Sequence, residues 1–77
     1  MDNMLTIELD ISYEFYDTPE YNQEVAQFNV VDRLIELVGP GGGNPVVEFT
    51  GTEQNLRELL AHFGYDGDDV DYYLFGD

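Results

Sequence analysis

Leu5-Thr6-Ile7-Glu8-Leu9-Asp10-Ile11-Ser12-Tyr13-Glu14-Phe15-Tyr16 alternates apolar and polar side chains from end to end. A period of two marks a strand with one face in a core and the other in water. Leu5, Ile7, Leu9, Ile11, Tyr13 and Phe15 then share the inner face, and Glu8, Asp10 and Glu14 stand along the outer one. Same-face neighbours on a strand lie about 6.8 Å apart. The inner face requires other elements to cover it, and the outer face repels itself.

Downstream, Asp17-Thr18-Pro19-Glu20 reads as a helix start, with Thr18 as N-cap, Pro19 at the first helical position and Glu20 near the positive end of the dipole. Tyr21, Val25, Phe28, Val31, Leu34, Ile35 and Val38 recur at helical spacing, which predicts one helix from Pro19 to Val38. Asn29, before Val30-Val31, interrupts that pattern. The alternative restarts the helix there and makes residues 22–28 a second strand, hairpinned to the first. Gly39-Pro40-Gly41-Gly42-Gly43-Asn44-Pro45 is a connector. It is no phosphate-cradling turn, because the chain has no lysine to complete one.

Val46, Val47 and Phe49 form a short, largely buried strand. Thr50 and Glu53 have capping-box spacing, with Thr52 a competing N-cap. Leu56, Leu59, Leu60 and Phe63 give an amphipathic helix that Gly64 ends. Tyr65-Asp66-Gly67-Asp68-Asp69 is an acidic turn, and Val70-Asp71-Tyr72-Tyr73-Leu74-Phe75 a closing strand. These elements predict one domain over residues 1–77 of the α/β class. It is an α+β two-layer sandwich of order β-α-β-α-β, with two helices on one face of a three-stranded sheet. The alternative order is ββαβαβ, with an N-terminal hairpin.

Charge narrows the function. Seventeen acids face only Arg33 and Arg57, for a formal charge of −15. With 43% hydrophobic and 14% aromatic residues the chain nonetheless has the means to fold. Such a field repels free nucleic acid, anionic membranes and nucleotides, and speeds encounter with basic protein surfaces. The expectation is therefore a basic protein partner, with no direct nucleic acid and no membrane contact. The absence of cysteine, of a membrane-length apolar run and of a basic leader at Met1-Asp2-Asn3 leads to an expected cytoplasmic location.

Catalytic parts are scarce: Ser12 is the sole serine, His62 the sole histidine, and cysteine and lysine are absent. His62 reads as a cation-capable side chain at a helix C-terminus. The expectation is no enzyme and no cofactor. Asp66, Asp68, Asp69 and Asp71 resemble a calcium loop only superficially. Asp71 stands where the loop needs glycine, Val70 where it needs a ligand, and Asp77 where it needs glutamate. No metal is expected.

The remaining chemistry is an array of fixed anions interleaved with tyrosines. Candidate partner-binding residues are Glu8, Asp10, Glu14 and Tyr16 on the first strand, and Asp66, Asp68, Asp69, Asp71 and Tyr73 at the C-terminal end. In size, acidity and aromatic content the chain resembles small phage-encoded inhibitors that mimic DNA, such as anti-restriction and anti-CRISPR proteins. That resemblance implies a protein acting in the host cytoplasm by occupying the basic groove of a defence or DNA-handling protein. Two other readings of the same residues are a generic acidic interaction domain and a salt-adapted protein of unrelated role. An exposed edge strand would also allow two copies to pair as a homodimer.

Overall fold

The computed structural model describes residues 4–38 and 42–76. Its elements are β1 (Met4–Asp10), α1 (Pro19–Gln27), β2 (Val31–Glu36), β3 (Val46–Thr52), α2 (Glu53–His62) and α3 (Gly67–Phe75). The sheet has the order β1-β3-β2 and is antiparallel throughout. Three helices cover one face, so the α+β two-layer class is as expected. The order β-α-β-β-α-α differs from both expected orders.

The first strand ends sooner than its alternation predicts. Ile11 N–H donates to the Pro45 carbonyl at 2.9 Å, and the Ser12 carbonyl then accepts from Phe15 and Tyr16. The Ser12 hydroxyl also accepts from Glu14 N–H at 3.1 Å, a side-chain turn that competes with the ladder. Residues 13–17 are therefore a turn, with Asp17 in the left-handed region at φ 60°. Phe15 does not extend the strand face. Its ring stands edge-on to Tyr21 at 5.4 Å and to Phe63 at 5.9 Å, closing one end of the core.

α1 begins as read, with Thr18 Oγ1 accepting from Tyr21 N–H at 3.1 Å. It stops at Gln27, not at Val38. Asn29 takes φ 57° and supplies the stop that glycine more often provides. Its N–H donates to Ala26 and the Val30 N–H to Val25, while Val25 and Val30 are both buried. This is a complete Schellman cap with its apolar contact. The chain leaves it extended, so 31–36 is strand and 22–27 helix, which reverses the hairpin alternative as well. Of the expected connector, residues 39–41 lie outside the described residues, as does the predicted helix stop at Gly39.

β3 runs further than Val46–Phe49, to Thr52, and there Thr52 is the N-cap of α2: its Oγ1 accepts from Asn55 N–H at 3.1 Å. The expected pairing of Thr50 with Glu53 is not used. α2 ends at Gly64, φ 99°, in a second Schellman cap, with Gly64 N–H on Ala61 and Tyr65 N–H on Leu60. The expected closing strand is α3. Asp66 caps it by accepting from Asp69 N–H at 3.0 Å, Asp68 and Asp69 fill its first turn, and Gly76 stops it at φ 79°. Val70, Tyr73 and Leu74, spaced i, i+3 and i+4, face the core.

Ile7 and Leu9 of β1 and Val47 and Phe49 of β3 meet Tyr21 and Val25 of α1, Leu56, Leu59 and Leu60 of α2, and Val70 and Leu74 of α3. No described helix is long and apolar enough to cross a membrane. Gly51 is buried beside Val30, whose Cγ1 would lie 2.8 Å from an added Cβ. Gly51→Ala is expected to lower unfolding free energy by about 1–3 kcal/mol, the cost of overpacking. Urea unfolding followed by circular dichroism checks it.

Candidate acidic interaction face

Register assigns the open face of the sheet. Glu8 is directly opposite Glu48, and Arg33 is opposite Glu48 on the other side. Thr6 faces Thr50, with hydroxyls 3.1 Å apart, and Asp10 and Glu36 both face Val46. Glu8, Asp10, Glu48 and Glu36 thus share one uncovered surface, answered there by Arg33, whose Nε lies 3.3 Å from Glu48 Oε1. Directly opposed like charges destabilise an antiparallel pair, so Glu8 and Glu48 form a local excess of negative charge that the fold tolerates.

The end of β1 also lies close to Tyr65, just before α3. Tyr65 is half-buried, and burial chiefly raises its hydroxyl pKa. Tyr73 adds to the rise, followed by the charges of Asp10 and Asp69. Those two carboxylates, from different elements, therefore act on one phenol. Beside it Asp10, Ile11, Ser12, Phe15, Phe63 and Tyr65 line a shallow cavity of about 230 Å³, below the roughly 300–1,000 Å³ of small-molecule pockets.

The expected partner-binding residues divide. Glu8 and Asp10 occupy the open sheet face, and Asp66, Asp68 and Asp69 gather at the N-terminus of α3 next to Tyr65. There they also serve the helix, as cap and as anions at its positive end. Glu14 has left the row, because it lies in the turn after β1. Asp71 is held by Arg57, whose terminal nitrogen approaches to 3.0 Å while Nε binds Glu53 at 2.9 Å. Those two carboxylates raise the Arg57 pKa. Tyr16 packs edge-on to Tyr21 at 5.3 Å, and Tyr73 meets Tyr65 edge-on at 5.2 Å, so both rings are partly spent inside the molecule. Glu48 and Glu36 were missing from the expectation. Glu48 was findable, since it stands between buried Val47 and Phe49 on an alternating strand. Glu36 was hidden by the helical reading of its segment.

His62 ends α2 as expected, and its Nε2 lies 2.6 Å from Oε1 of Glu24 on α1, while its ring sits 5.2 Å from Phe28. The second oxygen of Glu24 is buried without a partner among the described residues. The contact joins two helices across the core edge. Among the described residues no three His, Asp or Glu side chains converge as metal ligands. Comparison with protein-family models, curated proteins and solved structures finds no match for this chain.

Tyr21 is fully buried, and its hydroxyl donates to Asp32 Oδ2 at 3.0 Å. Burial raises its pKa far above the ordinary phenol value, aided by that hydrogen bond and by the Asp32 charge. An unfolded tyrosine releases its proton near pH 10, before the folded one does. Stability is therefore fully present below about pH 10 and falls as pH rises beyond it. Tyr21→Phe is expected to flatten that fall while lowering stability at neutral pH, which urea midpoints measured across the alkaline range will read.

The opposed glutamates give a second outcome. Glu8→Gln is expected to raise stability by roughly 0.2–1 kcal/mol in low salt. The gain should shrink in about 0.5 M salt as the repulsion it removes becomes screened.

Proposed function

We propose that this chain is an acidic binding protein that occupies a basic, nucleic-acid-binding surface of another protein, in the manner of a DNA-mimicking inhibitor of a host-defence or DNA-handling protein. The observation that carries the reading is the open sheet face, where Glu8 and Glu48 are opposed in register and Asp10 and Glu36 extend the charge. A lysine or arginine entering beside Glu8 answers the carboxylate of the opposed pair that Arg33 leaves without a cation. Such a contact is charge-assisted and adds to the attraction of the whole face.

Strand backbone holds these anions in a fixed array, and duplex DNA likewise offers a regular row, one charge per roughly 1.7 Å of axis. A groove that reads DNA mainly through phosphates accepts such a surface without needing bases. The acids at the start of α3 add a second anionic cluster beside Tyr65. With a net charge of −15 the long-range field steers encounter as well as contact.

The test is displacement of labelled duplex DNA from purified basic DNA-binding proteins, restriction and CRISPR effectors among them. Displacement is expected at low salt and should weaken steeply between about 50 and 200 mM. The variant Glu8→Gln, Asp10→Asn, Glu48→Gln is expected to displace at least about tenfold less well, with its circular dichroism unchanged. A triple variant as effective as the parent, or no displacement from any protein at low salt, overturns the reading.

A further inference from the structure

β2 is an edge of the sheet, paired with β3 alone among the described residues. Of its six residues Val31, Leu34 and Ile35 are apolar and exposed, beside the charged Asp32, Arg33 and Glu36, and the apolar Leu37 and Val38 follow just past its end. Val31 is 67% exposed, Leu37 56% and Val38 55%, with Leu34 and Ile35 also exposed. Tyr13, another exposed ring, is tied to the same segment, since its hydroxyl donates to the Leu37 carbonyl at 2.7 Å. An apolar strip beside the free hydrogen-bonding groups of an edge is a template for another strand.

The bulge in β2 indicates which strand fits. Arg33 opposes Glu48 and Glu36 opposes Val46, two residues apart on β3. The extra residue between Leu34 and Glu36 therefore brings Arg33 and Glu36 onto the same open face, although they are three apart in sequence. On the open face of β2 the order is apolar Val31, basic Arg33 and acidic Glu36, with apolar Leu37-Val38 just past the strand end, while Asp32 is on the other face and accepts from the Tyr21 hydroxyl. Reversed, that order complements itself. A second copy laid antiparallel on β2, with a two-fold axis between Leu34 and Ile35, sets each Arg33 against the other copy's Glu36. It also sets each Val31 against the other's Leu37-Val38 end.

We infer that β2 is the interface of a two-fold homodimer that joins two three-stranded sheets into one of six strands. Arg33 can serve both carboxylates, because its contact with Glu48 uses Nε and the side chain is 70% exposed. That leaves the rest of its planar fork for a second partner. β1, the other edge, carries Glu8 and Asp10 on the open face and no cation to answer a second copy of them.

Two copies of net charge −15 repel at long range, over a distance that shrinks to about 8 Å at physiological ionic strength and about 3 Å at 1 M. The apolar contact does not weaken in step. Salt therefore favours the dimer and opposes the cation binding proposed above, so each proposal can fail without the other.

Sedimentation velocity of the full chain tests this from about 20 mM to about 0.5 M salt. The mass is expected to climb from 8.8 kDa toward twice that value with concentration and with salt. Arg33→Glu and Glu36→Arg should each weaken the dimer at least about tenfold, and the two together should restore it, with circular dichroism confirming the fold in all three. A mass of 8.8 kDa in every condition overturns the inference. So does a dimer indifferent to both single reversals. Hydrogen exchange at β2 that slows only on adding a basic peptide would assign the edge to a foreign strand and overturn it too.

Discussion

Burial of the inner face of β3 is the constraint on which the other elements depend. Val47 and Phe49 have no exposed surface, both outer strands take their register from this one, and α2 begins where it ends. The rings of Tyr21 and Phe63 stand 6.4 and 6.3 Å from Phe49, so α1 and the end of α2 are located by the same side chain. A chain of this length buries roughly 60–65% of its unfolded surface, too little to support a second centre. One apolar face must therefore collect all three helices.

That economy settles where the charge goes. Among the described residues the buried side chains of the core are apolar or aromatic, so apart from the partly buried Glu24 and Asp32 the carboxylates are left to the surface, and there the fold offsets some of them. Glu20, Glu53, Asp68 and Asp69 sit in first helical turns, where exposed N–H groups favour anions. Arg57 answers Glu53 and Asp71, and Arg33 answers Glu48. Glu8, Asp10 and Glu36 have neither a helix end nor an arginine of their own. The uncovered side of the sheet thus keeps three carboxylates without a cation of their own, a consequence of putting every helix on the other side.

The third strand exists because of a helix stop. Once Asn29 turns left-handed, Val30 is drawn under the cap to meet Val25, and Val31–Glu36 has nowhere to go but along β3. β-Branched Val30 and Val31 favour the extended chain that follows. Residues that would have formed the apolar stripe of a longer helix, Val31, Leu34, Ile35 and Val38, are instead strung along an edge and left in water. The exposed apolar strip and the bare acidic face therefore share one origin.

Local chemistry was legible in the order of residues. The amphipathic β1, the capped start of α1 at Thr18-Pro19, the stripe and glycine stop of α2 and the magnitude of the charge all follow from side chains a few positions apart. The same holds for the α+β class, since alternation and helical spacing each demand one covered face. Tertiary structure decided the rest. Residues 31–38 suit a helix by spacing and a strand by propensity, and the Asn29 stop together with the place beside β3 chooses between them. Val70–Phe75 satisfies a period of two as readily as i, i+3, i+4. The cap at Asp66 and the space over β1 select the helix. The grouping of Glu8 with Glu48, forty residues apart, depends on strand register, a long-range pairing that neighbouring residues do not encode.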